Sequence, residues 1–232
     1  MTDTTREWLK QQSDEAYRSF QHKLLPGVEN YMGVRLPILK SKAKQLAKQD
    51  WKTEFAQADL TFEEVMLRGM TIGALNLPVE QTVSLVKAFV PCIDNWAVCD
   101  SFCASLRQVR KHKAEFLPTI KEVAASKREF EARFAAVMLL CYYKEPQELP
   151  QSLALYAQIT QADYYAQMGL AWGYSVFAAT DFEMTLQAME QAALSVETWN
   201  KALQKMRESR RISPQQKEIA AQKKRSKKEE QP

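Results

Sequence analysis

The chain has 232 residues and 46% hydrophobic content, which excludes general disorder and suffices for one buried core or one continuous repeat array. Six glycines and nine prolines leave long stretches of Ala, Leu, Gln, Glu, Lys and Met, residues that lose least on entering a helix, so the composition predicts an all-α fold. The net charge of +4 sits mostly in KKRSKKEEQP after Gln222, while the other 222 residues hold 27 basic against 26 acidic side chains; a globally basic body is excluded, and any nucleic-acid site must come from clustering on one face.

In chain order, residues 2–22 carry a helical pattern with Trp8, Leu9, Ala16, Tyr17 and Phe20 on one side, and Leu25 to Gly33, with Pro26 and Gly27, breaks it. A helix then begins near Pro37, a favourable first-turn residue, and runs through KSKAKQLAKQ. Further helices are predicted over 61–76, 79–90, 94–108, 113–125, 128–143, 147–158, 163–178, 181–192, 195–207 and 213–227. Caps support several starts: Thr61 is followed by Glu64, Asp163 precedes an aromatic run, and Ser213 precedes Pro214.

No apolar run approaches the roughly 20 residues that span a bilayer, and MTDTTREWLK lacks the apolar region of a signal peptide, so a soluble, intracellular protein without a membrane partner is expected. Cys92, Cys99, Cys103 and Cys141 form no CxxC pair and lie far from His22 and His112. Buried, reduced thiols are expected rather than a metal site or a disulfide framework.

A dozen short helices fit either a bundle or a solenoid of stacked pairs. Trp96, Arg133 and Trp172 each sit in an apolar helix, in IDNWAVCDSFCASL, FEARFAAVMLLCYY and YYAQMGLAWGYSVF, separated by 37 and 39 residues. That approaches the ~40-residue period of HEAT-type helical pairs and predicts one helix per period on a common face.

The segment Asp94 to Asp100 carries the most chemistry, because Trp96 and Asp100 are four apart and share one helix face. Arg133 places a cation among Phe130, Phe134, Ala135, Val137, Met138 and Leu139, where packing alone does not ask for one. Two readings stand side by side. Either Asp100 and Arg133 form an interhelical ion pair with Trp96 and Trp172 in the core, or the four mark a functional site.

The chain resembles the AlkD-like DNA alkylation repair family, DNA glycosylases built on HEAT-like repeats. The resemblance runs through GVRLPILKSKAK, FVPCIDNWAVCDSFC, FEARFAAVMLLCYY, YYAQMGLAW and WNKALQKMRESRRIS, from Gly33 to Ser213 and in family order. It implies an α-α superhelix, a solenoid of HEAT-like helical repeats with a concave DNA-binding face. One domain over 1–222 is expected, followed by a basic, disordered tail over 223–232. By the same resemblance Asp100 matches the catalytic aspartate, Trp96 and Trp172 the two site aromatics, and Arg133 the active-site arginine.

Family members excise cationic N-alkylated purines, 3-methyladenine and 7-methylguanine, and leave an abasic site. The residue types suit that reaction. Departure of the base builds positive charge on the deoxyribose, which a fixed carboxylate stabilises while orienting a water toward C1′. The indoles face a cation at ~0.5–2 kcal/mol each, and Arg133 holds a backbone phosphate. Most glycosylases flip the damaged base into a pocket; the resemblance implies instead that the concave face grips the backbone around the lesion, so that the base need not enter a deep pocket. No metal or redox cofactor is required.

The resemblance and local charge together assign DNA contacts to Arg107, Arg110, Lys111 and Lys113 after the Asp100 helix, and to Lys201, Lys205, Arg207, Arg210 and Arg211 near the end. Gln167 departs from the basic residue expected near that position, and Gly169 inside a helix marks close helix approach. The expected partner is double-stranded DNA containing alkylated purines, bound by a cytoplasmic monomer, nucleoid-associated if bacterial. The alternatives are a non-catalytic DNA-binding or damage-recognition solenoid and a protein-interaction scaffold.

Overall fold

Side-chain caps set many of the helix starts in the computed structural model, which describes residues 1–59 and 61–226; among them the only regular secondary structure is helical. They cluster into two compact units, Met1–Phe116 and the chain from Leu117 onward.

The first unit contains α1 (Asp3–Gln11), α2 (Glu15–Leu24), α3 (Leu36–Leu46), α4 (Trp51–Phe55), α5 (Phe62–Ala74), α6 (Val79–Phe89) and α7 (Trp96–Ser105). The helical pattern over 2–22 is two helices rather than one. Asp14 ends the first run by capping α2, its side chain accepting from the Tyr17 amide, while its own amide donates to Gly33 O at 3.1 Å. The short α4 was not predicted; it follows Asp50, whose carboxylate accepts from the Thr53 amide. The run predicted over 94–108 leaves the α-helix at Leu106 and continues as a 3-10 turn over Arg107–Arg110.

Helix α5 is the centre of this unit, packing against α3 and α7 and burying Phe62, Met66, Leu67, Met70 and Ile72. Each such side chain contributes about 1.5–3 kcal/mol of transfer free energy. Its start is a capping box in which Thr61 and Glu64 each satisfy the other's backbone amide. At its far end a Cβ on Gly73 would stand 2.0 Å from Ser105 Oγ, so α5 and α7 meet there because the residue is glycine.

Glu63 is fully buried, and its carboxylate accepts from the amides of Met32, Gly33 and Val34 at 2.8, 2.7 and 3.2 Å. Burial pushes this carboxyl above the ordinary range, against the opposing pull of the three amide donors. The loop it holds carries Gly33 at φ +83°, where a Cβ would come within 2.7 Å of Asp14 O.

Helix α8 (Lys113–Ala124) crosses from one unit into the other. The second unit continues with α9 (Glu129–Tyr142), α10 (Leu149–Tyr156), α11 (Tyr164–Phe177), α12 (Phe182–Gln191), α13 (Val196–Glu208) and α14 (Pro214–Gln222). Here α11 is central and packs on α9 and α13. Every residue of α9 from Ala132 to Leu140 is buried, so this helix is enclosed on all sides. Ser213 and Gln216 form the capping box of α14, whereas Asp163 makes no side-chain cap bond to α11.

Past α14, Lys223 pairs with Glu190 at 2.6 Å, the Arg225 guanidinium lies 3.7 Å from the Trp199 ring centroid, and Arg225 exchanges two hydrogen bonds with Asn200. The rest of the basic tail, 227–232, lies outside the described residues. Among the described residues no helix is long and apolar enough to cross a membrane.

The periodicity takes a different form from the one expected. Helices α7, α9, α11 and α13 begin at residues 96, 129, 164 and 196, steps of 33, 35 and 32 rather than ~40. Trp96 is the first residue of its helix, Arg133 the fifth and Trp172 the ninth. Their spacing therefore exceeds the helix step by about one α-turn each time.

Candidate active site

Asn95 starts α7: its side-chain oxygen accepts from the Val98 amide at 2.9 Å, and its amide nitrogen donates to Asp94 at 2.7 Å. That start puts Trp96 in the first helical position and Asp100 one turn later on the same face. The Trp96 indole donates to Leu24 O at 3.2 Å, which fixes the ring against the end of α2. Both side chains are half-buried and line one cavity of about 280 Å³, together with Tyr17 and Gln21 of α2, Lys40 of α3 and Met66 of α5. Leu24, Leu25, Val34 and Leu36 make its other walls apolar, and a carboxylate beside such walls exerts a stronger field than one in water.

No segment of the sequence announces this cavity. Its walls come from α2, the loop before α3, α3, α5 and α7, and no local motif links them.

A second hollow of about 610 Å³ shares Lys40, Ser101 and Ala104 with the first. It gathers Lys40, Lys44, Arg107 and Lys111, with His112 beside them. Two of these four, Arg107 and Lys111, are among the residues assigned to DNA contact from sequence. Lys40 and Lys44 are not singled out by the sequence reading, although their four-residue spacing in KSKAK places them on one face of α3. Arg110 is exposed and Lys113 half-buried, and neither lines this hollow.

In the second unit Arg133 is only 6% exposed, and its Nη1 donates to Tyr165 O at 2.7 Å. Phe130 stacks on the Tyr165 ring with centroids 5.6 Å apart, reinforcing the contact between α9 and α11. Gly169 lies over the arginine, but a Cβ there would stand 3.4 Å from Arg133 Cγ, an ordinary contact, so the close approach expected at Gly169 falls instead at Gly173, where a Cβ would stand 1.8 Å from Tyr156 Oη. Trp172 is half-buried on α11.

Lys201 and Arg207 line a hollow of about 660 Å³ with Gln167 and Lys224. Lys205 is half-buried, Arg210 and Arg211 are exposed after α13, and none of the three lines it. Gln167 is a strut: its Oε1 accepts from Thr198 Oγ1 and its Nε2 donates to Gln161 O. This ties α11 to α13 at the position where a basic residue was expected.

Cys99 and Cys103 are buried in α7 and Cys141 is half-buried, but Cys92 is exposed; all four are free thiols. Among the described residues no cluster of His, Cys, Asp and Glu is placed to hold a metal ion.

A helical chain with a carboxylate and an indole sharing a cavity beside four basic side chains has the composition of a site for a polyanion. The family model of the DNA alkylation repair enzymes matches residues 5–208, and the chain belongs to that family. The match spans Trp96, Asp100, Arg133 and Trp172 and ends before Arg210 and Arg211. No curated protein and no solved structure matches the chain.

Proposed function

We propose that the protein is a DNA glycosylase that hydrolyses the N-glycosidic bond of cationic N-alkylated purines, 3-methyladenine and 7-methylguanine, in duplex DNA. The observation that carries this reading is the pairing of Asp100 and Trp96, one turn apart in a largely apolar cavity that adjoins Lys40, Lys44, Arg107 and Lys111.

The alkylated purine leaves with the electron pair of the C1′–N bond, which neutralises its ring charge. Positive charge builds on the deoxyribose, and Asp100 stabilises it from a low-dielectric wall. Water adds to C1′ and gives its proton to Asp100 or to solvent, yielding the free base and an abasic site. Trp96, held by its N–H on Leu24 O, supplies an aromatic surface to the cationic sugar or base.

Trp172 offers an aromatic surface on α11, while the enclosed Arg133, which the resemblance matches to an active-site arginine, acts by holding α9 against α11 through Tyr165 O. Arg107, Lys111, Lys201 and Arg207 head the set of backbone contacts, and the protein acts as a monomer without a cofactor.

The test is release of free 3-methyladenine and 7-methylguanine from methylated duplex DNA, with Asp100→Asn run in parallel. Release that falls about 10²–10³-fold in the variant, the scale of one preorganised electrostatic partner, supports the reading. A folded, DNA-binding wild type that releases neither base overturns it and leaves a damage-recognition protein.

A further inference from the structure

We infer that residues 223–225, after α14, form a strap that fixes Lys224 beside Lys201 and Arg207 and makes the three a built grip on the phosphodiester backbone of duplex DNA. The strap belongs to the second unit and lies outside the family match, which ends at Glu208. The inference rests on the reading of the protein as one that acts on duplex DNA, and not on the chemistry at Asp100.

Two of the three basic side chains in the strap are committed to the protein. Lys223 Nζ pairs with Glu190 Oε1 at 2.6 Å, and the Arg225 guanidinium stands 3.7 Å from the ring centroid of Trp199, an indole that is itself buried. The main chain is held as well. Trp199 Nε1 donates to Lys223 O at 2.8 Å. Asn200 binds Arg225 in both directions, its Nδ2 donating to the carbonyl at 2.9 Å and its Oδ1 accepting from the amide at 3.0 Å. Two adjacent residues of α13 thus fasten both ends of the strap. Lys224, between them, lines the hollow of about 660 Å³ that Lys201 and Arg207 also line.

The charge of that hollow asks for an anion. Lys201, Arg207 and Lys224 face one carboxylate, Glu197, and among the described residues neither Arg207 nor Lys224 makes an ion pair. Lys201 donates to a neutral group, Gln204 Oε1, at 3.0 Å. The rest of the lining is largely polar, with Gln167, Asn200 and Gln204 able to donate to phosphate oxygens. Lys201 and Arg207 are separated along α13 by a rise of about 9 Å at 1.5 Å per residue, which suits successive phosphates of a strand better than one free anion. A lysine on a loose end must be ordered when it meets a phosphate; Lys224 is already positioned by its neighbours, so less freedom is lost on binding.

The salt dependence of binding counts the phosphates held, so it separates charge from structure. Lys224→Ala removes one cation from an exposed position. Asn200→Ala removes no charge and keeps a good helix former on α13, but releases Arg225. Each variant and the double variant are checked by thermal melting and titrated with a labelled undamaged duplex at several salt concentrations. Trypsin cleavage at residues 223–225, followed by mass spectrometry, reports whether the strap is docked.

Lys224→Ala should make the slope of log K against log salt shallower by ~0.9, one phosphate. Asn200→Ala should do the same and speed cleavage, and the double variant should lose no more than either alone. Should Asn200→Ala fail to fold, a Gly-Gly insertion after Gln222 takes its place, moving the strap off its partners without changing α13.

An unchanged slope in Lys224→Ala overturns the contact. A slope lowered by Lys224→Ala but not by Asn200→Ala overturns the strap, because Lys224 then acts equally well from a loose end. Cleavage no faster in Asn200→Ala than in wild type overturns Asn200 as the anchor. Base release from methylated duplex, assayed in parallel, keeps the two readings apart: the expected slopes in a protein that releases no base support the grip and overturn the glycosylase, whereas release with unaltered slopes does the reverse. A wild type that binds no duplex overturns both.

Discussion

Asp100 and Arg133 both interrupt apolar helices, yet the two units treat them differently. On α7 the carboxylate is half-buried at the wall of a cavity. On α9 the guanidinium is enclosed, donates to Tyr165 O and packs under Gly169. The same sequence signal, a charge where packing does not ask for one, thus has two structural outcomes. One leaves the group facing a space that a ligand can fill; the other makes it part of the contact between two helices. Among the described residues the first unit also buries two carboxylates, Glu63 and Glu64, whereas the buried charge of the second is the Arg133 cation.

The sharpest break of this comparison comes from mutating both residues. Asp100→Asn should lower base release about 10²–10³-fold while costing less stability than Arg133→Ala, since Asp100 is half-buried at a cavity wall and its replacement keeps the side chain's size. Arg133→Ala should cost about 1–3 kcal/mol, because it leaves Tyr165 O without that donor and removes an alkyl stem from beneath Gly169. Chemical denaturation of the two variants beside wild type reads both. If Asp100→Asn is the destabilised variant and Arg133→Ala melts like wild type, the assignment of open and closed charge is inverted.

A smaller effect compares how the two units hold DNA. Neutralising Lys40, Lys44, Arg107 and Lys111 together should make the slope of log K against log salt shallower by ~0.9 for each phosphate released from a basic partner, a total of ~3–4. Neutralising Lys201 and Arg207, which line the hollow of the second unit, should remove ~2 at most. Titration of a labelled duplex at several salt concentrations gives the slopes. Equal changes from both sets would show that the adjoining cavity gives the first unit no privileged hold on the backbone.

What could be read in advance was local. Helix starts were legible where Thr61, Ser213 or Pro37 marked them, and the Trp96/Asp100 pair followed from a four-residue spacing. The break at Asp14 was hidden because the apolar pattern continues across it, and α4 is too short to show a period. Arg133 stood out as a misplaced cation, but its partner Tyr165 lies 32 residues away and meets it only because α9 packs on α11. The cavity was illegible for the same reason, since its walls come from elements spread between Tyr17 and Ala104. Family resemblance could name Asp100 but could not name the residues of α2, α3 and α5 that share its cavity.

The smallest predicted effect sharpens the contrast between buried anion and buried cation. Glu63 has a folded-state pKa raised by burial, so the folded chain holds its proton more tightly than the unfolded chain does. For an acid shifted upward, the stabilising contribution is present at low pH. It is lost as pH climbs from the ordinary carboxylate value through the raised one. The first unit should therefore lose stability over that window, and Glu63→Gln should flatten the loss even though its amide is a poorer acceptor for the amides of Met32, Gly33 and Val34. Hydrogen exchange, corrected for intrinsic rates, locates the effect: amides of α5 should lose protection with rising pH while those of α9 keep theirs. Equal loss in both helices, or an unchanged pH dependence in Glu63→Gln, would show that the carboxylate's hydrogen bonds outweigh its burial and that the two units do not differ in this respect.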